Sequence, residues 1–346
     1  EAAKMAQAKE PPFNINAALV LARTAQLLRD GDDAVVFYKL FIEQAARLKS
    51  VQKVGEGYSG LIKSLFDAGK FDESEKACQE FLSLKGDDRL ERMKPPVLRQ
   101  MVLVLAKEGK AEKATELMDK IIDAQPDNPL NQIAKGELLR EIDKPADAVK
   151  AYKAAIDLIK KDDDLTKEEQ DGFVNEIRYT LSGLHMEMND VDKAADDLKA
   201  LLAKDPDNPG YNNDLGYIWA DHGRNLPESE KMIRKALDED RKQRAKANPE
   251  LKPEDVKDNP SYLDSLGWVL YKEKKYKEAR VPLEQALNAP DGKSVEIFDH
   301  LAEVLKAMGD KEGAVAAWKK GVDLPAETKH EKEKKAEVEK KLKDNQ

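Results

Sequence analysis

Residues Gly55-Glu56-Gly57-Tyr58-Ser59-Gly60 spell a literal G-x-G-x-x-G. In a dinucleotide site those glycines follow a buried strand and open a helix, so that pyrophosphate meets free backbone N–H groups. Residues 44–54 read as helix or loop, not as a buried strand. The glycines are therefore predicted to serve packing. The lone cysteine, Cys78, occupies an apolar position of an amphipathic segment and reads as a buried thiol, not a nucleophile. His185, His222, His300 and His330 have no partner at metal-ligand spacing, and each is predicted on a helix face or in a turn. The acidic run Asp162–Asp164 lacks the alternating ligands, glycine and distal glutamate of a calcium loop, which favours a solvated turn. No Walker loop, nucleophile elbow or H-E-x-x-H is present. No catalytic, cofactor-binding or metal-binding residue is expected, no cofactor is expected, and the chain is not expected to be an enzyme.

Composition narrows the remaining classes. The 346 residues include 59 Lys or Arg and 68 Asp or Glu, a formal net charge of −9. An acidic balance without clustered cations argues against nucleic acid as partner. No apolar run approaches the ~20 residues that cross a bilayer. One cysteine excludes an intramolecular disulfide framework. Residues 1–10 carry no apolar signal core.

The elements that must position any site are repeated. Leu266-Gly267 aligns with Leu215-Gly216, then Leu181-Ser182 and Met101-Val102. Small residues follow at Ala279, Ser229, Ala194, Ala148, Ala114 and Ser74. Ala286, Ala236, Leu201, Ala155, Ile121 and Phe81 come seven positions later. Pro95 to Pro129 and Asn175 to Pro209 are each 34 residues. Within units, apolar residues such as Leu215, Ile218 and Trp219 recur at helical spacing. Gly69, Gly109, Gly223 and Gly309 fall where a first helix should end, and Pro129, Pro209 and Pro260 where the next pair should begin. No alternating strand pattern is found.

This pattern resembles the tetratricopeptide repeat, a 34-residue helix–turn–helix unit. The resemblance implies an all-α fold, a right-handed superhelical α-solenoid of about seventeen helices and almost no strand. An N-terminal extension would span 1–13, an array of about eight units 14–325, and a charged capping helix 326–346. Units would start near 14, 55, 95, 129, 175, 209, 260 and 295. The first unit's inter-helix turn looks shortened. Because one pair cannot bury both its faces, the units are expected to stack as a single array.

Three intervals are long enough to carry an insertion. About six residues are added near Gly86–Lys94. Twelve precede Asn175, where Thr166 and Glu169 form a capping-box pattern and predict a long first helix. Seventeen follow Pro209, mostly in Arg241–Asn259, whose basic Arg241–Lys246 reads as an overlong second helix and polar loop, with a docking element as the alternative.

In the resembled family, first helices line a concave groove through positions 2, 5, 9, 12 and 13 of each unit. Carried onto this chain, those positions place Asn213, Tyr217, Asp221, Asp264, Trp268, Tyr271, Lys272, Asp299 and Glu303 on one surface. The aromatics would either anchor a partner or pack between neighbouring first helices. The family's clamp for C-terminal carboxylates is not matched by Ile133, Glu137, Tyr179, Gly183, Asn213 and Tyr217. The resemblance implies a non-catalytic scaffold or adaptor that binds a protein or peptide with apolar and basic residues in the groove. The alternative is a recruiting or regulatory subunit of an enzyme whose catalytic part lies on another chain. No nucleic-acid partner and no membrane insertion are expected, and self-association is open. The likeness is to bacterial members, many of them exported, which favours an exported or periplasmic compartment over a cytoplasmic one. Calorimetry with NAD or ATP is expected to show no saturable binding, and saturable binding abolished by Gly57→Ala would overturn the packing role of that glycine.

Overall fold

The computed structural model describes residues 14–86, 88–250, 257–289, 291–326 and 329–345. Among the described residues every regular element is helical. The chain divides into two compact units between Ile177 and Arg178. The first unit holds α1 (Ile15–Leu27), α2 (Gly31–Arg47), α3 (Val51–Asp67), α4 (Phe71–Ser83), α5 (Asp88–Lys107), α6 (Ala111–Ala124), α7 (Pro129–Glu141) and α8 (Pro145–Lys161). Helix α9 (Lys167–Glu187) crosses the division. The second unit continues with α10 (Val191–Leu202), α11 (Pro209–Asp221), α12 (Leu226–Ala247), α13 (Pro260–Lys272), α14 (Tyr276–Asn288), α15 (Val295–Ala307), α16 (Lys311–Val322) and α17 (Lys329–Asp344). Odd-numbered helices are the first members of helix–turn–helix pairs. In the second unit α11 packs on α13, α13 on α15 and α15 on α17, so the first helices form one continuous row.

The turns explain the pairing. In α3 the chain reaches Gly69 at φ +70°, Gly69 N–H donates to the Phe66 carbonyl and Lys70 N–H to the Leu65 carbonyl. That is a Schellman ending, which needs a left-handed residue and satisfies two orphan carbonyls. Gly109, Gly223 and Gly309 take the same conformation, as expected. Arg29, Asp143, Asn189 and Lys274 do so without being glycine. The turn expected to be short, between α1 and α2, therefore has the ordinary three residues, 28–30, with Arg29 left-handed. Its missing glycine is what made it look shortened. Helix starts follow the DNP tripeptides: the side chains of Asn128, Asn208 and Asn259 cap α7, α11 and α13, and proline takes the first turn.

Three units begin earlier than their sequence alignment suggests. Helix α3 starts at Val51, so the glycines at 55, 57 and 60 lie inside a helix. A Cβ on Gly57 would sit 2.5 Å from Ile42 Cγ1 and 2.9 Å from Phe41 Cδ1. No strand aims this segment at a phosphate. Helix α5 starts at Asp88 and runs through Pro95 and Pro96. The extra turns are held because Leu90 is buried in the core of α2–α5 and Met93 packs on it. Helix α9 starts at Lys167, where Thr166 N–H donates to Glu169 Oε2 (2.8 Å) and Glu169 N–H to Thr166 Oγ1 (3.2 Å). The capping box and the long helix are both present. The basic stretch Arg241–Lys246 continues α12, and Arg241 Nη2 donates to Asp258 Oδ2 at 2.8 Å. Residues 251–256 of that insertion lie outside the described residues.

Close approach within pairs depends on small residues. A Cβ on Gly267 would lie 2.4 Å from Leu283 Cγ and 3.1 Å from the Ala279 carbonyl oxygen. On Gly216 it would lie 2.8 Å from Ile233 Cγ1 and 3.0 Å from the Ser229 carbonyl oxygen. Both helices would have to separate. Gly267→Ala is expected to cost about 1–3 kcal/mol by overpacking. Because contacts run mainly between neighbours, amide exchange should accelerate in α13–α16 and stay unchanged in α1–α4. Equal acceleration in both regions would contradict this.

Candidate functional site

The nine residues expected to form a partner surface all lie in the second unit, on α11, α13 and α15. The structure separates them by burial. Tyr217, Trp268, Tyr271, Lys272 and Glu303 are half-buried and Asp221 is exposed, while Asn213, Asp264 and Asp299 are buried. The expectation that Asp264 and Asp299 stand open to a partner does not hold, because both carboxylates have partners inside the fold.

Trp268 is the hub of the half-buried group. Its ring stacks on His300 (4.0 Å between centroids, 17°) and on Tyr271 (4.9 Å, 12°). Its Nε1–H donates to Asp221 Oδ1 at 2.9 Å. Lys272 Nζ lies 4.7 Å above the ring and donates to the Asp221 carbonyl at 2.7 Å. One indole thus ties α11, α13 and α15 together. Packing between first helices is real, and part of the ring surface is still solvent-facing.

Beneath the stack, His300 Nδ1 pairs with Asp264 Oδ1 at 2.8 Å, both buried. Burial disfavours the imidazolium, but the Asp264 carboxylate outweighs burial and holds the imidazole above the ordinary histidine range. Tyr217 reaches across α13: its hydroxyl donates to Glu296 Oε1 on α15 at 2.8 Å. Burial, with Glu296, Asp264 and Asp221 adding negative potential, pushes the Tyr217 phenol well up. An open cavity of 190 Å³ is lined by both members of that bridge, with Asn213, Asp264 and neighbouring serines.

Asp299 is 1% exposed. It accepts from Trp318 Nε1 (2.8 Å), and Lys334 and Lys341 of α17 each reach it at 2.8 Å. Lys341 also pairs with Glu303 at 3.2 Å. Burial alone would raise the Asp299 pKa, but the two ammonium groups hold it below the ordinary aspartate value. The same carboxylates hold Lys341 above the ordinary lysine value against the effect of burial. Between the two lysines Val338 is fully buried. Asp299 and Glu303 therefore seat α17.

Sequence reasoning placed Glu296 at a groove position without its tie to Tyr217, and it missed His300, Lys334, Lys341 and Trp318. The sequence partners of His300 and Glu296 lie 36 and 79 residues away, so no local spacing reveals them. The available signal was the repeat register: His300 follows a groove position by one residue. Of the other histidines, His185 is buried against Asp197 (2.9 Å) and His222 bonds the Ile218 carbonyl (2.9 Å), while the His330 side chain lies outside the described residues. Cys78 is buried, and burial, then Glu75, pushes its thiol up to about 12. Among the described residues no cluster of His, Cys, Asp or Glu could hold a metal, and no helix is long and apolar enough to cross a membrane.

Comparison with known proteins places this geometry. A tetratricopeptide repeat family model matches residues 179–244. A TPR repeat-containing protein of Pseudomonas aeruginosa is 31% identical over 245 residues, 69% of this chain and 35% of the relative. The chain thus spans about a third of the curated relative it matches. A tetratricopeptide repeat protein from Parabacteroides merdae superposes with a TM-score of 0.54 at 13% identity, covering 82% of this chain and 98% of that one. The Cut9–Hcn1 hetero-tetramer of APC/C contains a chain that matches with a TM-score of 0.52 at 14% identity, covering 93% and 55%. At these identities the solved structures speak for the fold alone.

The ion cluster under α17 has a measurable consequence. Asp299→Asn leaves two half-buried ammonium groups short of a charge partner and is expected to cost about 3–5 kcal/mol. Protection of α17 should fall first in hydrogen exchange. Since the folded pKa of Asp299 is depressed, its contribution is complete above the unfolded value near about 3.9. It is lost as pH falls through the lower folded value. Acid should therefore loosen α17 in the wild type and have less further effect in Asp299→Asn. An unchanged α17 in the variant would refute the seating role.

Proposed function

The chain is built of tetratricopeptide repeats, which in general bind protein partners and are not catalytic, and from that premise we propose that it is a scaffold or adaptor. Its partner is a peptide or helix with apolar and basic residues, docked on the first-helix row of α11, α13 and α15. One observation supports this most: three half-buried aromatics, Tyr217, Trp268 and Tyr271, cluster with Asp221, Glu303 and Glu296 on that row. Large rings packed in part against the fold and in part exposed suit capture of an apolar side chain. The surrounding carboxylates favour a cationic partner and add mainly to on-rate and salt sensitivity.

The burial of Asp264 and Asp299 narrows the surface. Contact residues are Tyr217, Asp221, Trp268, Tyr271 and Lys272, while Asn213 is buried and lines a cavity together with Tyr217. Glu303 contributes where Lys341 leaves it accessible.

A pull-down from the source organism would supply the partner. Trp268→Ala should then weaken its affinity at least tenfold, in line with loss of an anchor worth ~2 kcal/mol. Asp221→Asn should weaken it less and flatten the salt dependence. Because Trp268 also packs, thermal stability must be followed in parallel. A variant that loses stability but keeps its affinity for the partner would remove the aromatic from the binding surface.

A further inference from the structure

We propose that the cavity lined by Tyr217 and Glu296 is a subsite for a primary ammonium group, filled by a lysine side chain of the docked partner. This deepens the groove reading and rests on it. The cavity measures 190 Å³ and lies within the second unit, where α11, α13 and α15 come together. Its walls carry acceptors from each helix: Asn213 from α11, Asp264 from α13 and Glu296 from α15.

The sharpest sign is Asn213. The residue is 7% exposed, its Nδ2 donates to Asp214 Oδ1 at 3.2 Å, and its buried Oδ1 has no hydrogen-bond partner. A buried carbonyl oxygen without a donor is uncommon in a folded protein and calls for a group that supplies one. Several nearby donors are already committed, while the Ser261 and Ser294 hydroxyls line the cavity without donating to the fold. The Tyr217 hydroxyl goes to Glu296, the Ser265 hydroxyl to the Ser261 carbonyl, and the Ile297 N–H to Ser294 Oγ. The neighbouring cations are committed as well. Lys334 is at Asp299 (2.8 Å) and Lys272 at the Asp221 carbonyl (2.7 Å). The lining holds the unpartnered Asn213 oxygen and two carboxylates, Asp264 already paired with His300, and it contains no lysine or arginine.

The form of the missing donor follows from geometry. An ammonium group has three N–H donors spread tetrahedrally, which suits acceptors arriving from three helices. A guanidinium is a planar fork, matched to one carboxylate in its plane, and is bulkier. The Tyr217 ring beside the cavity adds an aromatic face for the cation or its methylene stem. Entry from the first-helix row would let a residue of the docked segment drop its side chain inward while its neighbours meet Trp268.

The test titrates the full ¹⁵N-labelled chain with n-butylammonium, n-butylguanidinium and n-butanol at constant ionic strength. The Asn213 side-chain amide signal is the readout. Butylammonium should shift it saturably at millimolar concentration, at least tenfold more tightly than butylguanidinium, and butanol should not saturate. Glu296→Gln keeps an acceptor for Tyr217 and removes the charge, so it should weaken butylammonium at least tenfold. Glu312→Gln, on the exposed start of α16, should leave the affinity unchanged. Equal binding of butanol, or an affinity indifferent to Glu296→Gln in a variant whose spectrum shows it folded, would overturn the subsite. If a captured partner depends on Trp268 while butylammonium never saturates, the subsite falls and the groove reading stands. Saturable ammonium binding with a partner indifferent to Trp268 would sink the groove reading alone.

Discussion

Two antiparallel helices that meet through a stripe of small residues bury one face each and leave their remaining apolar faces uncovered. In this chain that shortage of cover governs almost everything else. Gly267 against Leu283 and Gly216 against Ile233 bring the members of a pair together. The outer faces must then be covered by the next pair, which is why Leu263, Leu266 and Leu270 of α13 share a core with α12, α15 and α16. The end of such a row always leaves one face open. Here α17 takes the place of a next first helix. It is strongly charged, yet Val338 is fully buried and Leu342 packs on the same core.

How α17 is held shows what seats a polar helix on a row of first helices. A helix with one buried valine has little apolar area to fix its rotation. Lys334 and Lys341, seven residues apart on one face, meet the same Asp299 carboxylate from either side of Val338. Trp318 Nε1 occupies a further lone pair on that carboxylate. Buried ion pairs add little net stability over well-packed apolar groups, but they fail badly when one partner is missing. The arrangement therefore acts through geometry. Meeting Asp299 with both ammonium groups, with Val338 buried between them, restricts the rotation and axial position of α17.

The helices were legible in the sequence because their causes are local. The Leu-Gly pairs, the DNP tripeptides and four turn glycines mark starts, stops and crossing points within a few residues of each event. Where the cause was not local, the reading slipped. Arg29 and Lys274 take the left-handed turn position through the ring of backbone bonds around them, without a glycine to announce it. The early start of α5 depends on Leu90 finding space in a core built from α2–α4, which no spacing within Asp88–Pro95 reveals. The candidate site followed the same division. Repeat register placed Tyr217, Trp268 and Tyr271 on one row, but register says nothing of depth. Asp264 and Asp299 share the groove positions of exposed residues and are buried because His300, Trp318 and α17 close over them, partners that lie between 19 and 42 residues away.

Packing and binding need not compete for the same aromatic residues. Trp268 held between Tyr271 and His300, with its Nε1 tied to Asp221, has lost its rotameric freedom before any partner arrives. A free tryptophan would have to be ordered on binding, at an entropic cost of about 0.5–1.5 kcal/mol for a mobile side chain. Stacking moves that cost into folding. The exposed part of the ring is then smaller but rigid, and rigid aromatic surface beside fixed carboxylates is well suited to recognising one side-chain pattern over another. The Tyr217–Glu296 bridge follows the same logic across α13, with the phenol and the carboxylate each holding the other in place. A row of first helices whose side chains are already locked to one another is a poor site for induced fit. That rigidity agrees with the proposed partner, whose apolar and basic groups would arrive at the spacing of the row, one repeat apart.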